Sequence, residues 1–117
     1  MTALKGIRLD YDYVSLAFAY VLTTIREDRR LSEDELARSL GIDPVHCRAL
    51  ESGEYGPSLH LILKLAAWMD CLPEELVKAT VERLAALSAE ARAADEAWAT
   101  RLAPKARGEP PTAPPAS

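Results

Sequence analysis

Residues 31–50, LSEDELARSLGIDPVHCRAL, constrain the fold more tightly than any other part of the chain. Ser32 opens a capping box with Glu35, so a helix starts there. Gly41 ends it where a left-handed backbone is needed, a conformation that glycine adopts without penalty. Asp43 caps the next helix, and Pro44 sits in its first turn, where a missing N–H costs little. Two short helices joined this tightly must cross closely and steeply. The crossing admits only a tiny side chain, which Ala37 supplies. The inward positions must be apolar, and Leu36, Leu40, Ile42, Cys47 and Leu50 all comply. Pro44, Val45, His46, Arg48, Ala49 and Ser52 are left on the outer face of the second of these helices.

The flanking segments extend the helical pattern. Val14, Phe18, Val21 and Ile25 recur at helical spacing, which predicts a first helix over residues 14–29 with Asp12 as its N-cap. Gly53 closes the third helix, Pro57-Ser58 opens a fourth that runs to about Met69, and Pro73-Glu74-Glu75 opens a fifth. The two glutamates stand at the positive end of that helix dipole. The expected architecture is therefore all-α. It comprises an arm (1–13), a five-helix domain (14–80), a C-terminal helical extension (81–103) and a Pro/Ala-rich tail (104–117) too poor in apolar surface to order.

Two features lie outside the five-helix core. In the arm, Ile7, Leu9, Tyr11 and Tyr13 alternate with Arg8, Asp10 and Asp12, the pattern of a half-buried strand. A lone strand needs a partner, so the arm either pairs with a second subunit or packs as an extended segment on its own domain. In the extension, Val77, Val81, Leu84, Leu87, Ala91, Ala94, Trp98 and Leu102 form a long apolar stripe. Only its first two turns are expected to reach the small domain. The rest calls for a second copy or a protein partner to cover it.

Composition narrows the function classes. A chain of 117 residues suits one domain with a modest core. No apolar run approaches the ~20 residues that span a bilayer. Acidic residues near the start stand where a signal peptide would be apolar, so no membrane association and a cytoplasmic location are expected. Cys47 and Cys71 have no metal-ligand spacing, and His46 and His60 fall on different helices. No nucleophile, phosphate loop or metal cluster emerges, so neither an enzyme nor a cofactor or metal is expected.

In order and spacing, several pieces resemble the lambda-repressor-like, or XRE, helix-turn-helix family. They are Leu31-Ser32, Glu35-Leu36-Ala37, Leu40-Gly41-Ile42, Leu50-Glu51-x-Gly53, Pro57-Ser58-Leu59, Leu63-x-Leu65-Ala66 and Pro73-x-Glu75-Leu76. The resemblance covers roughly residues 14–80. It implies a transcriptional regulator, a repressor in the first instance, that binds double-stranded operator DNA as a homodimer with its third helix in the major groove. On that reading Pro44, Val45, His46, Arg48 and Ala49 face the bases. Ser32, Glu33, Arg38, Ser52, Tyr55 and Ser58 lie toward the phosphates.

The chain departs from the family at several points. Glu33 stands where Gln is common, Arg30 where Gly is frequent, and Asp70 where a helix-ending Gly is usual. The formal net charge is −4, and residues 31–60 hold two arginines against six carboxylates. That acidity keeps a second class open: an interaction module, such as an antitoxin or accessory subunit, that retains the fold with weak DNA binding. Arg48 is the strongest candidate for a guanine contact, its bland alternative being a surface ion pair with Glu51 or solvent on the Ser52 side. Glu51 is read as structural, pairing with an arginine of the first helix or capping the following loop. Of the two surfaces that could join subunits, the long helix is favoured over the arm.

Overall fold

The structure, a computed structural model, describes Leu4 and residues 6–106. Five helices follow one another: α1 (Tyr11–Asp28), α2 (Glu33–Leu40), α3 (Pro44–Glu51), α4 (Leu59–Met69) and α5 (Pro73–Ala106). No strand occurs among the described residues.

The helix starts follow the capping chemistry of the sequence. Ser32 Oγ accepts from Glu35 N, and Glu35 returns a carboxylate oxygen to Ser32 N at 2.9 Å, completing the capping box. Asp43 accepts from Val45 N at 2.7 Å with Pro44 at the first helical position, and Ser58 Oγ accepts from Leu61 N at 3.0 Å.

The first four helices all end in one way. After each last turn a single residue takes a left-handed backbone: Arg30, Gly41, Gly53 and Asp70. The following N–H then bonds five residues back, as in Leu31 N to Arg26 O and Ile42 N to Ala37 O. This closure satisfies carbonyls that a helix end otherwise orphans. At Gly53 sterics reinforce the requirement, because a Cβ there would meet the Leu16 side chain at 2.7 Å.

The core lies where α1 to α4 and the start of α5 converge, with Phe18, Leu22, Leu36, Leu50 and Leu65 essentially inaccessible. Burying one such side chain stabilises the fold by about 1.5–3 kcal/mol. Ala37 and Cys47 are also fully buried, which fits a tight α2–α3 crossing.

Three expectations are corrected. First, the arm is not a strand. α1 begins at Tyr11, with Asp10 rather than Asp12 at its N-cap, because a helix satisfies its own backbone groups, as in Val14 N to Asp10 O at 3.0 Å. Asp10 makes no side-chain cap and pairs with Arg8 instead. The arm stays on its own domain, where Arg8 N donates to Ser88 Oγ at 3.1 Å and the Arg92 guanidinium donates to Gly6 O at 3.3 Å.

Second, α5 packs for well beyond two turns. It runs antiparallel to α1, with Leu76 and Ala79 level with Val21 and Ile25, and Leu87 and Ala91 level with Leu16 and Tyr13. Leu84 and Ser88 are buried, while Val77, assigned to the inward stripe, is 47% exposed. From Arg92 to Arg101 every described side chain of α5 is exposed. Third, the helix does not stop before Pro104 but continues to Ala106, and the rest of the tail (107–117) lies outside the described residues. No helix among the described residues is long and apolar enough to cross a membrane.

Candidate nucleic-acid interface

α3 is held from two sides. On one flank it packs on α2, and on the other it packs on α1. Cys47 and Leu50 point into the core, and Ala49 is also buried, at 9%. Ala49 was expected on the outer face. With two neighbouring helices the buried arc of α3 is wider than a single contact requires, and Ala49 falls within it.

Pro44, Val45, His46, Arg48 and Ser52 remain outside. Val45 is 65% exposed at the start of the helix. The His46 ring lies 6.1 Å from that of Tyr55, tilted by 40°, so the loop after α3 flanks its outer face. Arg48 donates to Asp34 at 3.4 Å across the α2–α3 pair, with both side chains at least half exposed. The bland partner expected for Arg48 was Glu51. Asp34 takes that place and had not been singled out, because its only sequence signal is a carboxylate in the first turn of α2.

Glu51 is committed elsewhere. Its carboxylate, 6% exposed, accepts from Arg26 Nε through both oxygens at 2.9 Å and from Thr23 Oγ1 at 3.0 Å. Arg26 also donates to Leu31 O at 2.9 Å, which ties the end of α1 to the start of α2. The hydrogen bond to Glu51 holds the Arg26 guanidinium pKa above its ordinary value. The Cys47 thiol lies 3.9 Å from Glu51 Oε2, and burial together with that carboxylate pushes its pKa up to about 11. Cys47 is thus a neutral core group, as its inward position implied. Cys71 is only half buried.

The phosphate-side candidates divide by what already holds them. Ser32 and Ser58 are exposed but serve as N-caps, and Ser52 Oγ donates to Ala49 O at 2.9 Å. Arg38 is exposed, Tyr55 is 51% exposed, and Glu33 is half buried. Backbone and side-chain bonds from Ser32 keep the Glu35 carboxyl below its usual pKa. Of the six carboxylates in residues 31–60, four therefore have partners inside the fold: Asp34, Glu35, Asp43 and Glu51. Lys64, on α4, was also missed; its ammonium lies beside the Gly41 turn. Among the described residues no cluster of His, Cys, Asp and Glu could hold a metal ion.

Residues 22–76 match the helix-turn-helix family model. This domain belongs to the lambda-repressor-like, or XRE, helix-turn-helix family. The match runs from the middle of α1 to the first turn of α5, so the arm and most of α5 lie beyond it. The curated proteins and the solved structures yield no match. The family that this domain matches is one of DNA-binding transcription regulators.

Proposed function

We propose that the protein is a sequence-specific regulator that binds a pseudo-palindromic operator as a homodimer, with α3 of each subunit in the major groove. The outer face of α3 carries the reading. An exposed Val45, His46 and Arg48 project from a helix whose opposite side is fixed to both α1 and α2. Arg48 exchanges its exposed contact with Asp34 for the O6 and N7 acceptors of a guanine. Val45 packs on a thymine methyl, and His46, braced by Tyr55, contacts a base edge or phosphate. Arg38 and the helix starts at Ser32 and Ser58 face the phosphate backbone, where the positive ends of helix dipoles attract anions. Ala49 has no part in this, being buried.

Selection from a randomised duplex pool tests the reading. An enriched two-fold sequence is expected, and Arg48→Ala should weaken its binding by roughly 1–3 kcal/mol. Glu33→Gln should strengthen binding to every sequence, since it removes a carboxylate from the phosphate side. If no sequence is enriched over random DNA, the regulator reading falls, and the acidic surface is left to a protein partner.

A further inference from the structure

We propose that the free end of α5 is a dimerisation surface. A second copy lies antiparallel along it, each Trp98 seated in the other subunit's notch between α1 and α5. This deepens the homodimer part of the reading above and rests on it, but it is independent of whether α3 reads DNA.

The notch is a cavity of about 300 Å³ lined by Tyr13, Leu16, Leu87, Glu90 and Ala91. It opens where α1 begins, and Leu16 on its wall is 46% exposed. Seven residues after Ala91, on the same face of α5, stands Trp98, with 57% of its surface in water. An exposed indole and an unfilled apolar notch thus share one helix face. The indole cannot reach the notch of its own chain, because two helical turns, ~10 Å, separate Ala91 from Trp98 on a rigid rod.

An antiparallel copy resolves this. When Trp98 stands opposite the partner's Ala91, the two-fold axis passes between Ala94 and Asp95, where a small side chain lets the helices approach closely. The same register sets Glu90 against the partner's Arg101, and Asp95 against the partner's Arg92. Each offset is about 3 Å along the axis, within reach of an arginine side chain. All four charges then meet their opposites. A parallel pair would instead set Trp98 against Trp98 and like charge against like charge, with both notches left open.

Two magnitudes agree with this arrangement. Two seated indoles bury ~300–500 Å², about a quarter of a standard interface, and the exposed Leu16 and Tyr20 continue the apolar track along α1. The buried Leu84 marks where α5 grips its own domain. It lies about 16 Å from the two-fold axis, so the two domains sit about 32 Å apart along α5 and clear that axis.

The test is analytical ultracentrifugation of the full chain without DNA, up to about 100 µM. A dimer is expected. Trp98→Ala should raise its dissociation constant roughly tenfold or more. Glu90→Arg and Arg101→Glu should each weaken it, and the double charge swap should recover much of the loss. In a Trp68→Phe background, Trp98 emission should shift to shorter wavelength as concentration rises. A dimer that none of these substitutions weakens would overturn the surface and leave the homodimer intact. A monomer throughout would end both.

Discussion

Glu51→Ala should be the most damaging polar substitution in the domain. Glu51 is nearly inaccessible, and its partner Arg26 has only 20% of its side chain exposed. Truncating Glu51 removes three short hydrogen bonds and leaves a guanidinium with little water to replace them. Breaking a fully buried pair costs about 3–5 kcal/mol. Arg26 keeps its bond to Leu31 O and some solvent contact, so about 2–3 kcal/mol is the expected loss here. For a domain of this size that lowers the melting temperature by roughly 10–20 °C. Glu51→Gln preserves an acceptor and should cost about half as much. Urea denaturation of both variants, with Arg26→Met and the double variant, gives a thermodynamic cycle. A coupling of about 1–3 kcal/mol is expected, little changed by 1 M salt because a buried pair is poorly screened. Additive single losses, or an Ala variant within about 0.5 kcal/mol of wild type, would refute the idea that this pair clamps α1 to α3.

Arg30→Gly should stabilise the protein by about 0.5–1 kcal/mol, since Arg30 holds a left-handed φ of 56° that glycine adopts freely; Asp70→Gly, at the same φ, should gain less because Asp tolerates that region better. An unchanged melting temperature for Arg30→Gly would show that the strain lies elsewhere. Native protein at pH 8 should react with a thiol reagent at Cys71 and not at Cys47. Because folding raises the Cys47 pKa to about 11, from an ordinary value near 9, the stability it contributes is present below pH 9 and declines as pH rises from 9 towards 11. Rapid modification of Cys47 in the folded state would contradict this. Ala37→Leu should cost on the order of 1–3 kcal/mol by overpacking the α2–α3 crossing, and a wild-type melting curve would displace the crossing from that residue.

Features set by local chemistry were legible in the sequence. The Ser32–Glu35 box, the Asp43-Pro44 start and the Gly41 end each depend on groups within a few residues, so spacing alone identifies them. The Arg26–Glu51 pair was legible in kind, because a carboxylate at the end of α3 must find a partner when the neighbouring helix end is basic. What escaped depends on packing between distant segments. The alternation over residues 7–13 suits a strand, but the same residues start a helix once Tyr11 can reach across to accept from Gly56 N at 3.0 Å. Ala49 became buried because α1 covers a flank of α3 that the two-helix pattern leaves open. The bland partner of Arg48 was read on its own helix, yet Glu51 is taken by Arg26 and Arg48 pairs with Asp34 on α2.

On the proposed reading, the acidity of the helix-turn-helix domain sets the way in which it would bind DNA. Of the six carboxylates near α3, Glu51 is neutralised by Arg26 and Glu35 and Asp43 are held by backbone N–H groups at helix starts, whereas Asp34 is released when Arg48 turns to a guanine. The supply of cations is nevertheless short, with Arg38 and Arg48 the only basic side chains, apart from histidines, in residues 31–60. Each phosphate neutralised by a cation releases counterions and steepens the salt dependence, whereas amides at helix starts release few. Counting both arginines of each subunit, including the Arg48 assigned to a guanine, gives at most about four cations per dimer at the DNA, hence a slope of log K against log salt no steeper than about −4. Non-specific binding, which rests on this electrostatic term, should be weak, and the proposed base contacts of Arg48 and Val45 should carry a larger share of the operator affinity than in a basic domain. Titrations of the selected operator from 50 to 300 mM salt measure the slope. A value near −8 would show that cations outside the reading unit, Arg29, Arg30 or Lys64 among them, take up phosphates and that α3 is less decisive than proposed.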